Sequence, residues 1–225
     1  ATRYDKIFHA LDAGPIGLLR RFGPQRALQA GAFLYRTGER GPGMYIVLSG
    51  HVAITQRDGL GHVAPVADQG PGQFLAEVGQ LADGPALVDA HAEGDVETIR
   101  IPADGLRALL IAEAELGERI MRALILRRAG LIADASGGPV LIGPDHSAGM
   151  LRLRNFLSRN GLPHHVLDPD RPESRCLIAR HTHSAQDLPL VVCPDGTVLR
   201  NPSEGDLARQ LGLIGAPHRQ AVYDV

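Results

Sequence analysis

Residues 71–90 read PGQFLAEVGQLADGPALVDA, a glycine-rich segment that lies among runs in which apolar and polar residues alternate. An alternation of period two, interrupted by glycine-containing turns, is typical of strands in a β-sandwich or jelly-roll barrel. The sequence therefore predicts a barrel from about Leu28 to Ile101. The runs that predict its strands are 32–35, 44–48, 52–54, 62–66, 88–92 and 96–101.

The segment 71–90, called the cassette below, resembles the phosphate-binding cassette of the cyclic nucleotide-binding domain family. The resemblance extends over about residues 5–135 and implies that family's β-barrel with flanking helices. The residues that carry it are Gly72, Phe74, Glu77, Val78, Gly79, Leu81 and Ala86, with the upstream residues Gly38, Glu39 and 44–52.

The resemblance also implies a ligand and a set of contacts. In the family a short helix directs its free N–H groups at a cyclic phosphate, and a glutamate accepts a hydrogen bond from the ribose. Glu77 would hold the ribose, and the amides around Gly79 and Ala86 would face the phosphate. Taken alone, Glu77 is also an ordinary polar residue at a helix start. The implied ligand-binding residues are Phe74, Leu75, Ala76, Glu77, Val78, Gly79, Gly84, Pro85, Ala86 and Leu87.

The cassette departs from the family pattern at the position of its arginine. Gly84 occupies that position, and Pro85 occupies the Ser/Thr position that follows. An arginine–phosphate hydrogen bond contributes about 1.5–3 kcal/mol. Its loss predicts cyclic-nucleotide binding that is weaker by roughly ten- to a hundred-fold or more. Pro85 also lacks an N–H donor, and Asp83 and Asp89 would make the site more acidic.

Helical patterns flank the predicted barrel. Residues 4–21 predict short helical segments, and a long helix is predicted from about Pro102 to Ala133. Its broad apolar face would serve both its own barrel and a second subunit, which predicts a homodimer through residues 112–133. Alternatively, the helix is buried between the barrel and a C-terminal domain. The small residues 133–138 predict a linker.

Beyond the linker, the pattern predicts a small layered α/β domain. Its order is strand (139–143), helix (147–160), strand (164–167), hairpin (188–193 and 197–200) and final helix, capped by Ser203. This order resembles the thioredoxin/glutaredoxin fold, with Pro189 at the place of that fold's cis-proline. The redox motif would fall within residues 143–150, which contain no cysteine. The resemblance thus implies a redox-inactive domain.

Charge and composition exclude several functions. The net charge is −2, and residues 136–225 hold nine basic and nine acidic side chains. A DNA-binding face carries a basic excess, so we expect no DNA binding. No apolar run has the length of a membrane span.

Cys176 and Cys193 form no CxxC pair, and the absence of a secretory signal favours the cytoplasm. The histidines at 164–165 and 181–183 lack the spacing of a metal site.

The sequence thus predicts an α+β protein divided into a barrel (1–135), a thioredoxin-like domain (139–220) and the start of a further segment (221–225). Two functional hypotheses follow for this protein. In the first, the chain is a sensory module whose barrel receives a small anionic ligand. In the second, it is a docking part of a larger enzyme, because the layout resembles the front half of bacterial thioredoxin-reductase-like flavoproteins. No Gly-x-Gly-x-x-Gly motif is present, so FAD and NADPH would require a downstream domain. The sequence predicts no catalytic residue and no metal in this chain.

Overall fold

The structure, a computed structural model, describes residues 10–76, 81, 84–133 and 138–214. The strands are β1 (Gln25–Leu28), β2 (Phe33–Tyr35), β3 (Met44–Ser49), β4 (Val52–Arg57), β5 (Val63–Gln69), β6 (Phe74–Leu75), β7 (Asp89–Ala92), β8 (Val96–Ile101), β9 (Val140–Ile142), β10 (His165–Leu167), β11 (Leu190–Val192) and β12 (Val198–Arg200). The helices are α1 (Ala13–Leu19), α2 (Ala103–Ala112), α3 (Ala114–Ala133), α4 (Ala148–Arg159), α5 (Pro172–His181) and α6 (Glu204–Gln210).

The N-terminal part is a barrel of two antiparallel sheets, which confirms the predicted β-architecture. One sheet has the order β1-β8-β3-β6, and the other has the order β2-β7-β4-β5. Strand β4 shows the expected alternation, with Val52 and Ile54 buried and Ala53 and Thr55 partly exposed. Residues 1–9, which include part of the predicted N-terminal helical stretch, lie outside the described residues.

Strand β3 is buried on both faces because helices cover the outside of its sheet. Tyr45 and Val47 point into the barrel interior. Met44 and Ile46 point the other way and pack with Leu106, Leu109, Leu116, Ile120 and Leu124 of α2 and α3. The continuous apolar run of β3 therefore reflects two different hydrophobic clusters.

The long helix predicted for 102–133 is two helices, so that prediction was wrong in its continuity. Glu113 separates α2 from α3 with backbone angles outside the helical region (φ −124°, ψ 77°). A Cβ added to Gly117 would lie 3.2 Å from the Cα and carbonyl oxygen of Leu110, so the two helices meet almost backbone to backbone there. A side chain at this position would require Leu110 to shift by a few tenths of an ångström.

Helix α3 packs mainly against its own barrel. Leu116, Ile120, Ala123 and Leu124 belong to the cluster outside β3, whereas Leu131 reaches the cluster that extends from the barrel interior into the C-terminal part. Ile125 is 53% exposed, so part of the apolar face remains uncovered. Homodimerisation through 112–133 stays a prediction. Within the described residues, no helix combines the length and apolar character of a membrane span.

Residues 138–214 form a second compact unit, called the C-terminal unit. Its sheet has the order β10-β9-β11-β12, with β10 parallel to β9 and β11 antiparallel to both β9 and β12. Leu141 and Val191 face α4 and α6, and Val140 and Leu190 face the side covered by α5. The Leu188–Pro189 peptide bond that precedes β11 is cis. Residues 134–137 of the predicted linker lie outside the described residues.

Helix starts in this unit agree with the local sequence signals. Ser147 caps α4 by accepting the Met150 N–H, and Ser203 and Asp206 form a reciprocal capping box at α6. Gly161 follows α4 with a positive φ of 61°, as expected for a helix end.

Helix α5 was missing from the predicted order of elements. Its termini nevertheless carry helix signals, with Pro172 at the first turn, Glu173 beside it, and Arg180 and His181 in the last turn. The helix presents a weak apolar stripe, chiefly Leu177 and Ile178. Periodicity alone therefore did not reveal it.

The two units are joined at the β4–β5 hairpin. Its tip is held by Asp58, whose carboxylate accepts the N–H groups of Leu60 and His62 at 2.9 Å each. Leu60 packs with the α5-facing side of the C-terminal sheet. A Cβ on Gly59 would lie 2.1 Å from the Val192 carbonyl oxygen. The tip thus fits against β11 with no room for a side chain.

Candidate functional site

The first limb of the cassette enters the barrel through β6. Strand β6 pairs with β3, with Leu75 opposite Tyr45 and Phe74 opposite Ile46. Leu75 belongs to the barrel interior, and Phe74 and Ala76 belong to the cluster under the helices. Glu77, Val78 and Gly79, the predicted ribose- and phosphate-facing residues, lie outside the described residues.

The second limb, residues 84–87, is held by the loop between β2 and β3. The Ala86 N–H donates to the Glu39 carbonyl at 2.9 Å, and the Gly38 N–H donates to the Ala86 carbonyl at 2.8 Å. The Ala86 amide, which was expected to face a phosphate, thus already has a backbone partner, and its contact with a ligand stays a prediction. Pro85 forms an isolated bridge with Arg40 and supplies no N–H of its own.

Asp89, just after the second limb, forms a hydrogen bond with the β2–β3 loop. Its carboxylate accepts the Thr37 N–H at 2.7 Å, and the residue is only 9% exposed. The interaction fixes the start of the β2–β3 loop, which in turn holds Ala86. The prediction that Asp89 acidifies the ligand site overlooked this hydrogen bond.

An arginine from α3 reaches the first limb, and the sequence analysis did not identify it. The Arg127 guanidinium lies 4.4 Å from the centre of the Phe74 ring, and Nη1 donates to the Ala76 carbonyl at 3.3 Å. Burial lowers the pKa of Arg127 to about 10, against a smaller opposing effect of Tyr35, so the side chain remains charged at neutral pH. A signal was available, because Arg127 follows Leu124 by three residues and precedes Leu131 by four, which places a cation on an apolar helix face.

Two tyrosines lie inside the barrel near this arginine. The rings of Tyr35 and Tyr45 are 5.9 Å apart, and the Tyr45 hydroxyl donates to the Leu34 carbonyl at 3.1 Å. Burial raises the pKa of Tyr45, an effect partly opposed by Arg100. Its hydroxyl is therefore neutral under ordinary conditions and acts as a hydrogen-bonding group.

The C-terminal unit covers the second limb from outside. Arg40 Nη1 donates to the Gly212 carbonyl, and a Cβ added to Gly212 would lie 3.8 Å from Pro85. Pro85 therefore lies next to the segment that follows α6.

Residues 143–150, where a redox motif would fall, pack against Pro189. A Cβ added to Gly143 would come within 3.0 Å of Pro189 Cβ, and one on Gly149 within 2.8 Å of its Cδ. Both cysteines are free; Cys176 is exposed and Cys193 is buried. Burial, with a smaller effect of Asp195, raises the pKa of Cys193 to about 12. Neither thiol lies within 143–150, and in the described part of the chain no three His, Cys, Asp or Glu side chains cluster as metal ligands.

Comparison with known proteins finds similarity in the N-terminal part of the chain. The family model of the cyclic nucleotide-binding domain matches residues 25–113. Mouse patatin-like phospholipase domain-containing protein 6 is 29% identical over 124 residues, which are 54% of this chain and 9% of that protein. The CRP-like cAMP-activated global transcriptional regulator of Mycobacterium tuberculosis is 26% identical over 121 residues, which are 54% of each chain.

The chain therefore spans from a tenth to about half of the length of these curated relatives. Among solved structures, the N-terminal domain of a transcriptional regulator from Streptomyces coelicolor is 26% identical, with a TM-score of 0.44, over 59% of this chain and 94% of that one. The family match falls on the strands, the β2–β3 loop and both limbs of the cassette. Residues 25–113 of this chain are therefore similar to the cyclic nucleotide-binding domain family.

Proposed function

We propose that the chain is a regulatory module whose barrel binds a cyclic nucleotide or a similar small anion, and whose C-terminal unit responds to that ligand without redox chemistry of its own. The observation that carries this proposal is the position of Arg127. A charged guanidinium from α3 lies beside the Ala76 carbonyl, directly before Glu77.

Arg127 supplies a positive charge that the cassette itself lacks. Gly84 and Pro85 offer no cation, and Ala86 has already used its amide. A buried guanidinium interacts strongly with a phosphate because the surroundings screen the charge poorly. Since Arg127 belongs to α3, a ligand that pairs with it also binds the helix, and ligand occupancy shifts the position of α3.

A thioredoxin-like identity of the C-terminal unit is supported by its topology. The sheet places the first strand β9 beside β10 in parallel and β11 antiparallel on its other side, with β12 at the edge. Helices cover both faces, as in the layered α/β folds. With no cysteine in residues 143–150, this unit serves as a contact surface and not as a disulfide reductant.

The test is calorimetric titration of the chain with cAMP and with cGMP. We expect saturable binding that is weakened about tenfold or more in Arg127→Gln, since a charge-assisted hydrogen bond is lost. The control is Arg122→Gln on the same helix, where the side chain is exposed and pairs with Glu118; it should bind as the wild type does. Glu77→Ala should also weaken binding.

Absence of binding to both nucleotides would overturn the sensory role. The alternative would then be preferred, in which these residues are the docking part of a larger thioredoxin-reductase-like enzyme that holds FAD and NADPH in other domains.

A further inference from the structure

A cavity of about 340 Å³ lies between the barrel and the C-terminal unit. On the barrel side it is lined by the β2–β3 loop and the second cassette limb. Its volume falls in the range of sites for small organic ligands, which are common at domain interfaces. Its walls are mainly apolar and come from both units, including Pro85, Leu87, Pro139, Pro163, Pro194 and Leu211.

One cation stands at this cavity. Arg40 lines it and donates through Nη1 to the Gly212 carbonyl. Across the described residues, no carboxylate lies within ion-pair distance of Arg40. A guanidinium has five N–H donors in a planar fork, so most of its hydrogen-bonding capacity is available to a ligand.

Asp195 and Cys193 also line the cavity, and neither supplies a positive charge. The Asp195 carboxylate accepts the N–H and the hydroxyl of Thr197 at 3.0 Å each and the Gln210 amide at 2.7 Å. Cys193 carries a neutral thiol, because burial raises its pKa to about 12. The cavity therefore presents an apolar interior with one cation, Arg40, and one carboxylate, Asp195, which is already hydrogen-bonded to Thr197 and Gln210.

We propose that this interdomain cavity binds a small hydrophobic monocarboxylate, whose carboxylate pairs with Arg40 and whose apolar body lies between the proline and leucine walls. The ligand touches Pro85 and Leu87 of the cassette as well as Pro194 and Leu211 of the C-terminal unit. It therefore bridges the two units and stabilises their docked arrangement by mass action. This site shares residues 85–87 with the second cassette limb, but Ala76 and Arg127 do not line it. The proposal therefore does not depend on cyclic-nucleotide binding.

The probe is 2-naphthoate, titrated by calorimetry into the complete chain, with 2-naphthalenemethanol as the neutral analogue. We expect one saturable site for the carboxylate and binding of the alcohol that is at least roughly tenfold weaker. Arg40→Gln should weaken the carboxylate to a similar degree. Arg36→Gln should leave it unchanged, because Arg36 is an exposed cation four residues earlier that lies over Phe33.

Two further variants locate the site. Pro194→Trp places a large side chain at the cavity wall and should abolish binding, with the far-ultraviolet circular dichroism unchanged; the chain has no other tryptophan. Arg127→Gln should retain full naphthoate affinity. The proposal is overturned if naphthoate shows no saturable binding to the wild-type chain. It is also overturned if the alcohol binds the wild-type chain as tightly as naphthoate does, or if Arg40→Gln binds naphthoate as tightly as the wild type. Loss of naphthoate affinity in Arg127→Gln would overturn it as well.

Discussion

At the scale of single residues, the cassette shows how an anion site can keep its shape while its donors change. Pro85 has no backbone N–H, and the Ala86 N–H donates to the Glu39 carbonyl. Gly84 leaves the position of the family's arginine without a side chain. The positive charge near the cassette instead belongs to Arg127, which follows Ala76 by 51 residues. No local sequence pattern connects it with the cassette.

Restoring the cation at its family position should strengthen ligand binding. We predict that Gly84→Arg tightens cAMP binding by roughly tenfold or more, since a charge-assisted contact is gained. Gly94→Arg adds the same charge in open space on the β7–β8 turn and should have no such effect. Equal calorimetric affinities of the two variants would contradict the assignment of Gly84.

The two thiols should differ sharply in reactivity. Thiolates are the reactive form, and burial holds the pKa of Cys193 near 12 while Cys176 is exposed. With Ellman's reagent at pH 8 we expect one thiol to react quickly and the second only after unfolding in urea. Cys176→Ser should remove the fast phase; a fast phase that persists in this variant would show that Cys193 is accessible.

At the scale of elements, the corner between α2 and α3 is tightly packed at Gly117. Its position is within contact of the Leu110 backbone, so the corner positions α3, and with it Arg127, over the cassette. Gly130 lies on the same helix with nothing within 4 Å of an added Cβ. An added side chain would therefore meet steric resistance at Gly117 but not at Gly130.

Substitutions at these two positions should change stability in opposite directions. We predict that Gly117→Val lowers the free energy of unfolding by about 1–3 kcal/mol through overpacking. Gly130→Ala should raise it by roughly 0.5–1 kcal/mol, because alanine loses less backbone entropy in a helix. Urea denaturation monitored by circular dichroism measures both. A neutral Gly117→Val would mean that the corner relaxes freely.

At the scale of the whole molecule, the barrel and the C-terminal unit are linked at several places. The β4–β5 hairpin tip fits against β11, Arg40 binds the end of α6, and Arg128 donates to the Asn160 carbonyl at 3.5 Å. One hydrophobic cluster extends from the barrel interior into the C-terminal unit. A change in the cassette can therefore reach the C-terminal unit directly as well as through α3.

The hairpin contact can be tested by filling the space at Gly59. We predict that Gly59→Ala lowers the free energy of unfolding by about 1–3 kcal/mol, because the new methyl group would lie 2.1 Å from the Val192 carbonyl oxygen. Hydrogen exchange should become faster at the amides of 58–62. Gly94→Ala, on another turn of the barrel with open space around it, is the control. Unchanged exchange in Gly59→Ala would show that the hairpin does not hold the units together.

Much of the fold was predictable because its signals are local. The alternation in β4, the capping serines at 147 and 203, and the turn glycine at 196 (φ +85°) all express preferences of short segments. Helix α5 was missed because its apolar stripe is weak. The break at Glu113 was missed because it arises from packing of two helices and not from a helix-breaking residue.

The amino-acid sequence by itself determined the barrel, its cassette and the loss of the cassette arginine, because strand periodicity and motif spacing depend on neighbours along the chain. Only the tertiary structure revealed Arg127 at the cassette, the covered Pro85 and the cavity beside Arg40. Each of these joins residues that are distant in sequence, and such contacts are selected by the packing of whole elements. The charge near the cassette and the shape of the cavity beside Arg40 therefore depend on tertiary packing. The strands that carry the cassette depend on local sequence preferences.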